Sequence, residues 1–109
     1  MMRTRMVRYR VRADRAEENV RYVENVFAAL ERESPPGVRY AVFRLDDGVS
    51  FVHLVSLEGP DDTNALRALP EFDAFLAGIR DRCEEAPVTV ALQEVGSYRV
   101  FSTSTPPGT

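Results

Sequence analysis

Hydrophobic and polar residues follow regular periods along the first half of the chain, and these periods predict its first elements. Apolar and polar residues alternate from Met6 to Arg12, as is typical of a strand with one buried side. Apolar residues then recur at steps of three and four from Ala16 to Leu30, which predicts a long amphipathic helix starting near residue 14. The prolines and glycine of segment 34–37 end it.

The second half of the chain is predicted to contain a hairpin, a second helix and a last strand. Two alternating segments at about residues 39–45 and 50–57 predict a hairpin, and a short helical turn is expected at about residues 64–69. Pro70 opens a helix whose apolar stripe runs from Phe72 to Cys83. Pro87 precedes a strand that extends to about residue 95, and Gly96 then predicts a bulge or a bend into a further strand segment.

The turn between the hairpin strands sets their register. With Asp47-Gly48 as a two-residue turn, directly paired residues share a face of the sheet. One face then carries the pairs Tyr40 with Val55, Val42 with His53 and Arg44 with Phe51, and the other carries Ala41 with Leu54 and Phe43 with Val52.

The order strand, helix, strand, strand, helix, strand predicts the fold class. It is α+β, the ferredoxin-like split βαβ arrangement (βαββαβ), with an antiparallel sheet and both helices on one side. A chain of 109 residues has room for one domain, which we place at residues 1–101. The polar and proline-rich composition of residues 102–109 predicts a flexible tail.

Two helices cover only one face of such a sheet. We assign the smoother aliphatic face, with Phe43 and Val52, to the helices. The other face is too apolar to remain exposed, so we expect a second subunit to cover it. The sequence therefore predicts a homodimer whose interface contains Tyr40, Val42, Arg44, Phe51, His53 and Val55.

Composition narrows the choice of partner and compartment. The net charge is −3, and every one of the 14 basic residues is arginine. Five of these arginines lie in the first twelve residues, which suits either a solvated strand face or an acidic partner. The single cysteine excludes an internal disulfide, and no apolar stretch approaches the ~20 residues of a membrane span. We predict a cytoplasmic protein that binds neither membranes nor nucleic acid.

The element order and the segment Leu69-Pro70-Glu71-Phe72-Asp73-Ala74-Phe75 resemble the antibiotic-biosynthesis-monooxygenase-like family of dimeric α+β barrels. The resemblance covers about residues 6–99. It implies a homodimer in which two sheets face each other, often with exchange of C-terminal strands, and a ligand pocket between sheet and helices. The family includes cofactor-free oxygenases of aromatic polyketides, quinol oxygenases, haem-degrading enzymes and members without a known activity.

This chain departs from the haem-degrading members of that family. They resemble one another in an asparagine on the first strand, a tryptophan, and a histidine on the second helix. The first strand here has Arg8 and Arg10, and the chain has neither a tryptophan nor a histidine on that helix. We therefore expect no haem or other cofactor, and no catalytic residue can be carried over from the family.

His53 is the candidate catalytic residue, because only histidine has an ordinary pKa near neutrality. The alternative is a hydrogen-bonded histidine at the subunit interface. Arg8, Arg10 and Arg44 either converge with His53 on an anion or pair with acids of the other subunit. One histidine and one cysteine predict no metal site.

Four aromatic residues are candidate ligand-binding residues under the helices, although each could also be ordinary core: Tyr9, Phe43, Phe72 and Phe75. RNA-recognition modules share the element order, but Val49 and Leu54 stand where their third-strand signature has aromatic residues. The sequence thus predicts a dimer that binds a small aromatic or quinone-like molecule, as a cofactor-free monooxygenase or, alternatively, as a non-catalytic binding or structural domain.

Overall fold

The computed structural model describes residues 2–59 and 65–100. Its elements are β1 Met2–Val11, α1 Ala16–Glu33, β2 Val38–Arg44, β3 Ser50–Glu58, α2 Pro70–Ala77, α3 Ile79–Arg82 and β4 Cys83–Leu92. Short 3-10 turns at Ala13–Arg15 and Ala65–Ala68 precede α1 and α2. The second turn falls within the helical turn predicted at about residues 64–69. The predicted tail at residues 102–109 lies outside the described residues.

The four strands form one antiparallel sheet in the order β2-β3-β1-β4. The core lies between this sheet and the helices, where Tyr9, Val11 and Phe51 pack with Val26 of α1 and Phe75 of α2. The predicted ferredoxin-like α+β fold is confirmed. No helix in the described part of the chain is long and apolar enough to cross a membrane.

The hairpin between β2 and β3 has the predicted register at every pair. Its turn differs by one position, because the Gly48 N–H donates to the Leu45 carbonyl over 2.9 Å. Gly48 has a φ of +78°, which favours glycine there. The Asp47 carboxylate accepts a hydrogen bond of 2.9 Å from the Val49 N–H and so fixes the loop.

The two faces of the sheet are the reverse of the prediction. Tyr9 of β1 lies directly opposite Phe51 of β3, and these residues, 3% and 2% exposed, belong to the core beneath the helices. Because directly paired residues share a face, the register carries the whole predicted interface to the helix side: Tyr40, Val42, Arg44, Phe51, His53 and Val55. The face assignment was wrong because aliphatic content did not distinguish two faces that are both apolar.

The face turned away from the helices, which we call the outer face, is also apolar. Its apolar residues are Met6, Ala41, Phe43, Val52, Leu54, Val88, Val90 and Leu92. Val88 is 59% exposed, Val90 43% and Phe43 39%. Large apolar side chains thus remain accessible on both edge strands of this face.

Gly78 interrupts the helix that the sequence predicts from Pro70 onwards. α2 ends before it, and α3 adds only one further turn, to Arg82. Cys83, which the sequence places on the helix, is instead the first residue of β4. The helical stripe was extended too far because Cys83 stays buried as the first strand residue, which preserves the apolar spacing.

β4 begins before Pro87 rather than at it. The register between β1 and β4 shifts between Arg8 and Arg10, which places an irregularity beside the proline. Proline fits an edge strand at such a position, where no ladder hydrogen bond from its nitrogen is needed. β4 ends at Leu92, and residues 93–100 contain no strand, so no strand follows Gly96 within the described residues.

Candidate functional site

Five polar side chains from five different elements form a hydrogen-bonded row, which we call the polar chain: Arg82, Asn19, Tyr9, His53 and Tyr40. Arg82 Nε donates to Asn19 Oδ1 over 3.1 Å, and Asn19 Nδ2 donates to the Tyr9 hydroxyl over 2.9 Å. His53 lies between two tyrosines. Its Nε2 is 2.7 Å from Tyr9 Oη, and its Nδ1 is 2.7 Å from Tyr40 Oη.

The sheet register and the helix packing bring the row together. Val7 of β1 pairs with His53, which places Tyr9 diagonally across from the imidazole, and Val42 of β2 pairs with His53 from the other side. Asn19 and Arg82 are fully buried, and His53 is 4% exposed. Buried polar side chains of this kind are stable only when they are hydrogen-bonded, as all of these are.

The buried imidazole is neutral at pH 7. Burial lowers the pKa of His53 from 6.5 to about 4, because the charged form loses its hydration. Burial likewise raises the pKa of Tyr9 and of Tyr40 well above the ordinary value, so both hydroxyl groups keep their protons. The polar chain is therefore a series of neutral groups beside one cation.

That cation, Arg82, is held by groups other than carboxylates. Its Nη2 donates to the Phe75 carbonyl over 2.9 Å, and its guanidinium carbon lies 4.3 Å from the centre of the Tyr22 ring. In residues 2–59 and 65–100, no salt bridge involves Arg82. Gly78 leaves room for it, since a Cβ there would lie 2.8 Å from Arg82 Nη1. Burial lowers the pKa of the guanidinium, which still stays protonated at pH 7.

A cavity of about 100 Å³ lies between the sheet and the helices, against the Tyr40 end of the polar chain. Its wall is mostly apolar, with Phe72, Phe75 and Leu66 among the lining residues. Tyr9, Tyr40 and His53 also line it, and almost all of the surface that the lining residues present to it is apolar. Enzyme ligand pockets usually measure roughly 300–1,000 Å³, whereas an apolar cavity of ~150 Å³ can hold a benzene ring. At about 100 Å³ this cavity is smaller than both, so a ring enters it only when the side chains of its wall move apart.

The structure separates the predicted ligand-binding residues. Tyr9, Phe72 and Phe75 line the cavity, but Phe43 lies on the outer face, because it pairs with Val52 there. Phe43 was misplaced by the same face assignment that put the predicted interface on the wrong side. His53, in contrast, lines the cavity rather than an exposed surface.

Of the two alternatives for the arginines, convergence on an anion beside His53 is not what the structure shows. Arg44 Nη2 lies 2.9 Å from Glu17 Oε2 on α1 of the same chain. Arg10 Nε lies 3.3 Å from Glu84 Oε1, and Arg8 and Arg10 both belong to the side of β1 opposite Tyr9. The arginines therefore do not converge on His53.

Sequence reasoning missed Asn19 and Arg82, although a signal was present. Asn19 lies three residues after Ala16 on the apolar stripe of α1, and Arg82 follows Ile79 by three on the stripe of the second helix. A polar residue on an apolar helical stripe predicts a buried polar partner. The described part of the chain contains no group of three histidine, cysteine or acidic side chains that could hold a metal ion.

The antiparallel sheet with helices on one face defines a ferredoxin-like α+β fold. Solved structures bear this out. A protein from Bacteroides thetaiotaomicron assigned to these monooxygenases superposes with a TM-score of 0.74 at 17% identity, covering 86% of this chain and 90% of that chain. A similarly assigned protein from Nitrosomonas europaea gives 0.71 at 19% identity, with the same coverage.

A variant of SnoaB, a cofactor-independent oxygenase from Streptomyces nogalater, gives a TM-score of 0.65 at 18% identity and covers 88% of this chain and 95% of that chain. No protein-family model matches the sequence, and no curated protein matches it. At these identities the likeness is one of fold. The resemblance to this family that the sequence indicated is confirmed at that level.

Proposed function

We propose that this protein binds a small, flat aromatic or quinone-like molecule in the cavity between sheet and helices. The observation that carries the proposal is the apolar and aromatic wall of the cavity, where Phe72 and Phe75 lie beside Tyr40 and His53. An apolar wall with a few placed polar groups is the usual form of a small-molecule site. The cavity is smaller than one that holds benzene, so binding requires the wall to open around the ring that enters.

A cofactor-free monooxygenase reaction is the activity we propose to test at this site, because SnoaB, a cofactor-independent oxygenase, shares the fold. An activated CH₂ group between aromatic rings loses a proton and passes one electron to O₂. The two radicals then combine in a C–O bond, and loss of water leaves a ketone, so that R₂CH₂ and O₂ give R₂C=O and H₂O. The role of the protein is to bind the substrate, exclude water and accept the proton.

Non-catalytic binding is the second candidate, and one feature of His53 favours it. Both imidazole nitrogens are already hydrogen-bonded to tyrosines, and burial lowers the pKa of His53 to about 4. A base of that strength accepts a proton from carbon poorly at pH 7. Binding is therefore better supported than catalysis.

Oxygen uptake and thermal unfolding together decide between these functions. We expect anthrone or a quinol to raise the melting temperature, since a ligand at 100 times its Kd stabilises by about 2.7 kcal/mol. Phe72→Trp, which fills the cavity, should abolish this effect, whereas the matched Phe43→Trp on the outer face should not. Oxygen uptake that His53→Gln abolishes supports the monooxygenase, and stabilisation without uptake supports binding alone. If no compound of the panel causes either stabilisation or oxygen uptake, the proposed function is contradicted.

We also propose that a second copy of the chain covers the outer face, as the resemblance to dimeric barrels implies. The exposure of Val88, Val90 and Phe43 supports this, because such apolar surface is costly in water. Light scattering should give a dimer mass for the wild type and a monomer mass for Val90→Asp. The same substitution at exposed Ala28 of α1 should leave the dimer intact. A wild-type monomer at micromolar concentration contradicts this part of the proposal.

A further inference from the structure

The outer face of the sheet is apolar at its centre and more polar at both ends. The strand registers divide it into rows that run across the strands. The two central rows are apolar apart from one arginine: Ala41, Leu54, Met6 and Val90 in one, and Phe43, Val52, Arg8 and Val88 in the next. The rows at the ends contain polar and charged residues: Arg39, Ser56 and Thr4 at one end, and Ser50, Arg10 and Glu85 at the other. An apolar centre with a polar rim is the usual form of a protein–protein interface.

A hollow of about 250 Å³ lies in the outer face between β1 and β4. It lies where the register shifts, because β4 takes three steps from Val88 back to Glu85 while β1 takes two from Arg8 to Arg10. Apolar side chains and an arginine line it at the level of the central rows: Met6, Val90, Val88 and Arg8. Since an apolar cavity of ~150 Å³ can hold benzene, the hollow has room for a phenyl ring from another chain.

Arg8 restricts what can cover this hollow. Within the described part of the chain Arg8 takes part in no salt bridge, and it is exposed. A second sheet laid over the face would enclose its charge, which is costly without a suitable neighbour. A guanidinium is stabilised by stacking on an aromatic ring, and its long side chain can still reach the polar row. Among the described strand residues the outer face has one aromatic residue, Phe43.

Symmetry limits how two copies can bring Phe43 to the hollow. Two identical sheets that pack face to face with aligned strands are related by a two-fold axis that runs either across or along the strands. An axis across the strands sets β1 and β4 against the same strands of the partner, so the two hollows face each other and leave a void. Close-packed interfaces avoid such voids. An axis along the strands, between β3 and β1, sets β4 against the partner's β2. Val88 and Phe43 belong to one row, so the hollow then meets the partner's Phe43.

We infer that two copies pack about an axis along their strands and that the Phe43 ring of each copy enters the hollow of the other, between Arg8 and Val88. The contact occurs twice, once on either side of the axis. Each ring fills the space that the bulge of β4 leaves open, and each Arg8 gains an aromatic neighbour. The inference rests on the proposed dimer and adds which residues meet across it.

Charge complementation between two variants tests this contact. Phe43→Lys and Val88→Glu each place a charge in the apolar centre, and each alone should weaken dimerisation about a hundredfold or more in sedimentation velocity. An equimolar mixture of the two should form a heterodimer, because the introduced lysine of one copy meets the introduced glutamate of the other. Both positions are exposed in the single subunit, so circular dichroism should show that each variant folds. Phe43→Ala, which adds no charge, should still weaken dimerisation about tenfold or more.

Ala41→Lys is the matched control for Phe43→Lys, because Ala41 lies on the same strand and the same face, one row away. Its mixture with Val88→Glu should remain monomeric. If Phe43→Lys and Val88→Glu do not associate, or if the control mixture associates equally well, the contact is overturned while the dimer stands. A single charged variant that dimerises like the wild type also overturns it. A monomeric wild type overturns the proposed dimer and the inference with it.

Discussion

The stability of this protein should fall in mildly acidic solution because of one buried side chain, His53. Its pKa is about 4 in the folded protein and 6.5 in an ordinary aqueous setting, so the unfolded chain binds a proton at a higher pH than the folded one. The contribution of neutral His53 to the free energy of unfolding is therefore present in full above pH 6.5. This contribution is lost progressively as the pH falls from 6.5 towards 4.

The size of the effect follows from these two pKa values. Proton linkage predicts that the free energy of unfolding falls by about 2 kcal/mol between pH 7.5 and pH 5. The carboxyl groups whose pKa values are lowered, those of Glu18, Asp47 and Glu71, have ordinary values of 3.8 to 4.5. Their stabilisation is therefore lost mainly at lower pH. The interval from pH 7.5 to 5 isolates the histidine.

Urea unfolding at several pH values and one protein concentration measures this effect. With an m-value of about 1–3 kcal/mol/M, the midpoint of the wild type should drop by roughly 0.7–2 M between pH 7.5 and pH 5. His53→Gln removes the titrating group and should give a nearly constant midpoint over the same interval, whatever its absolute stability. A wild-type midpoint that stays constant, or an equal drop in the variant, would refute the reasoning that His53 is buried and neutral.

Three further outcomes follow from burial and backbone geometry. Phe51→Ala should lower the free energy of unfolding by about 3–5 kcal/mol, as measured in urea, whereas Phe43→Ala should change it by much less in the isolated subunit. Gly48→Ala should cost about 1 kcal/mol because φ is +78°, while Gly96→Ala, equally free of neighbours and without a positive φ, should be nearly neutral. Cys83 is buried and its thiol pKa is raised by that burial, so a thiol reagent should label it rapidly only in denaturant.

The hairpin shows how much of the fold the sequence could predict. The short loop between two alternating segments left one plausible register, and that register is observed at every pair. The choice of face could not be made from β2 and β3 alone, because both faces carry large apolar residues. It depends on how β3 aligns with β1, where Tyr9 meets Phe51, and no local signal in the sequence determines that long-range register.

The candidate site could be predicted only in part, because local periodicity places a residue on a face but does not determine its long-range partners. Aromatic residues on the stripe of the second helix were expected to face the sheet, and Phe72 and Phe75 line the cavity there. The partners of His53 come from positions 13 and 44 residues away along the chain. Periodicity identifies a polar residue on an apolar face, such as Asn19, but it does not identify the group that the residue will meet.

The polar chain also bears on the order of folding events. It joins Asn19 to Arg82 across 63 positions and Tyr9 to His53 across 44, so it can close only after the central strands have paired and α3 has docked. We therefore expect its hydrogen bonds to form after the rate-limiting step. Substitutions within it should then accelerate unfolding and leave the refolding rate nearly unchanged, which would make this row of side chains a determinant of how long the folded protein survives.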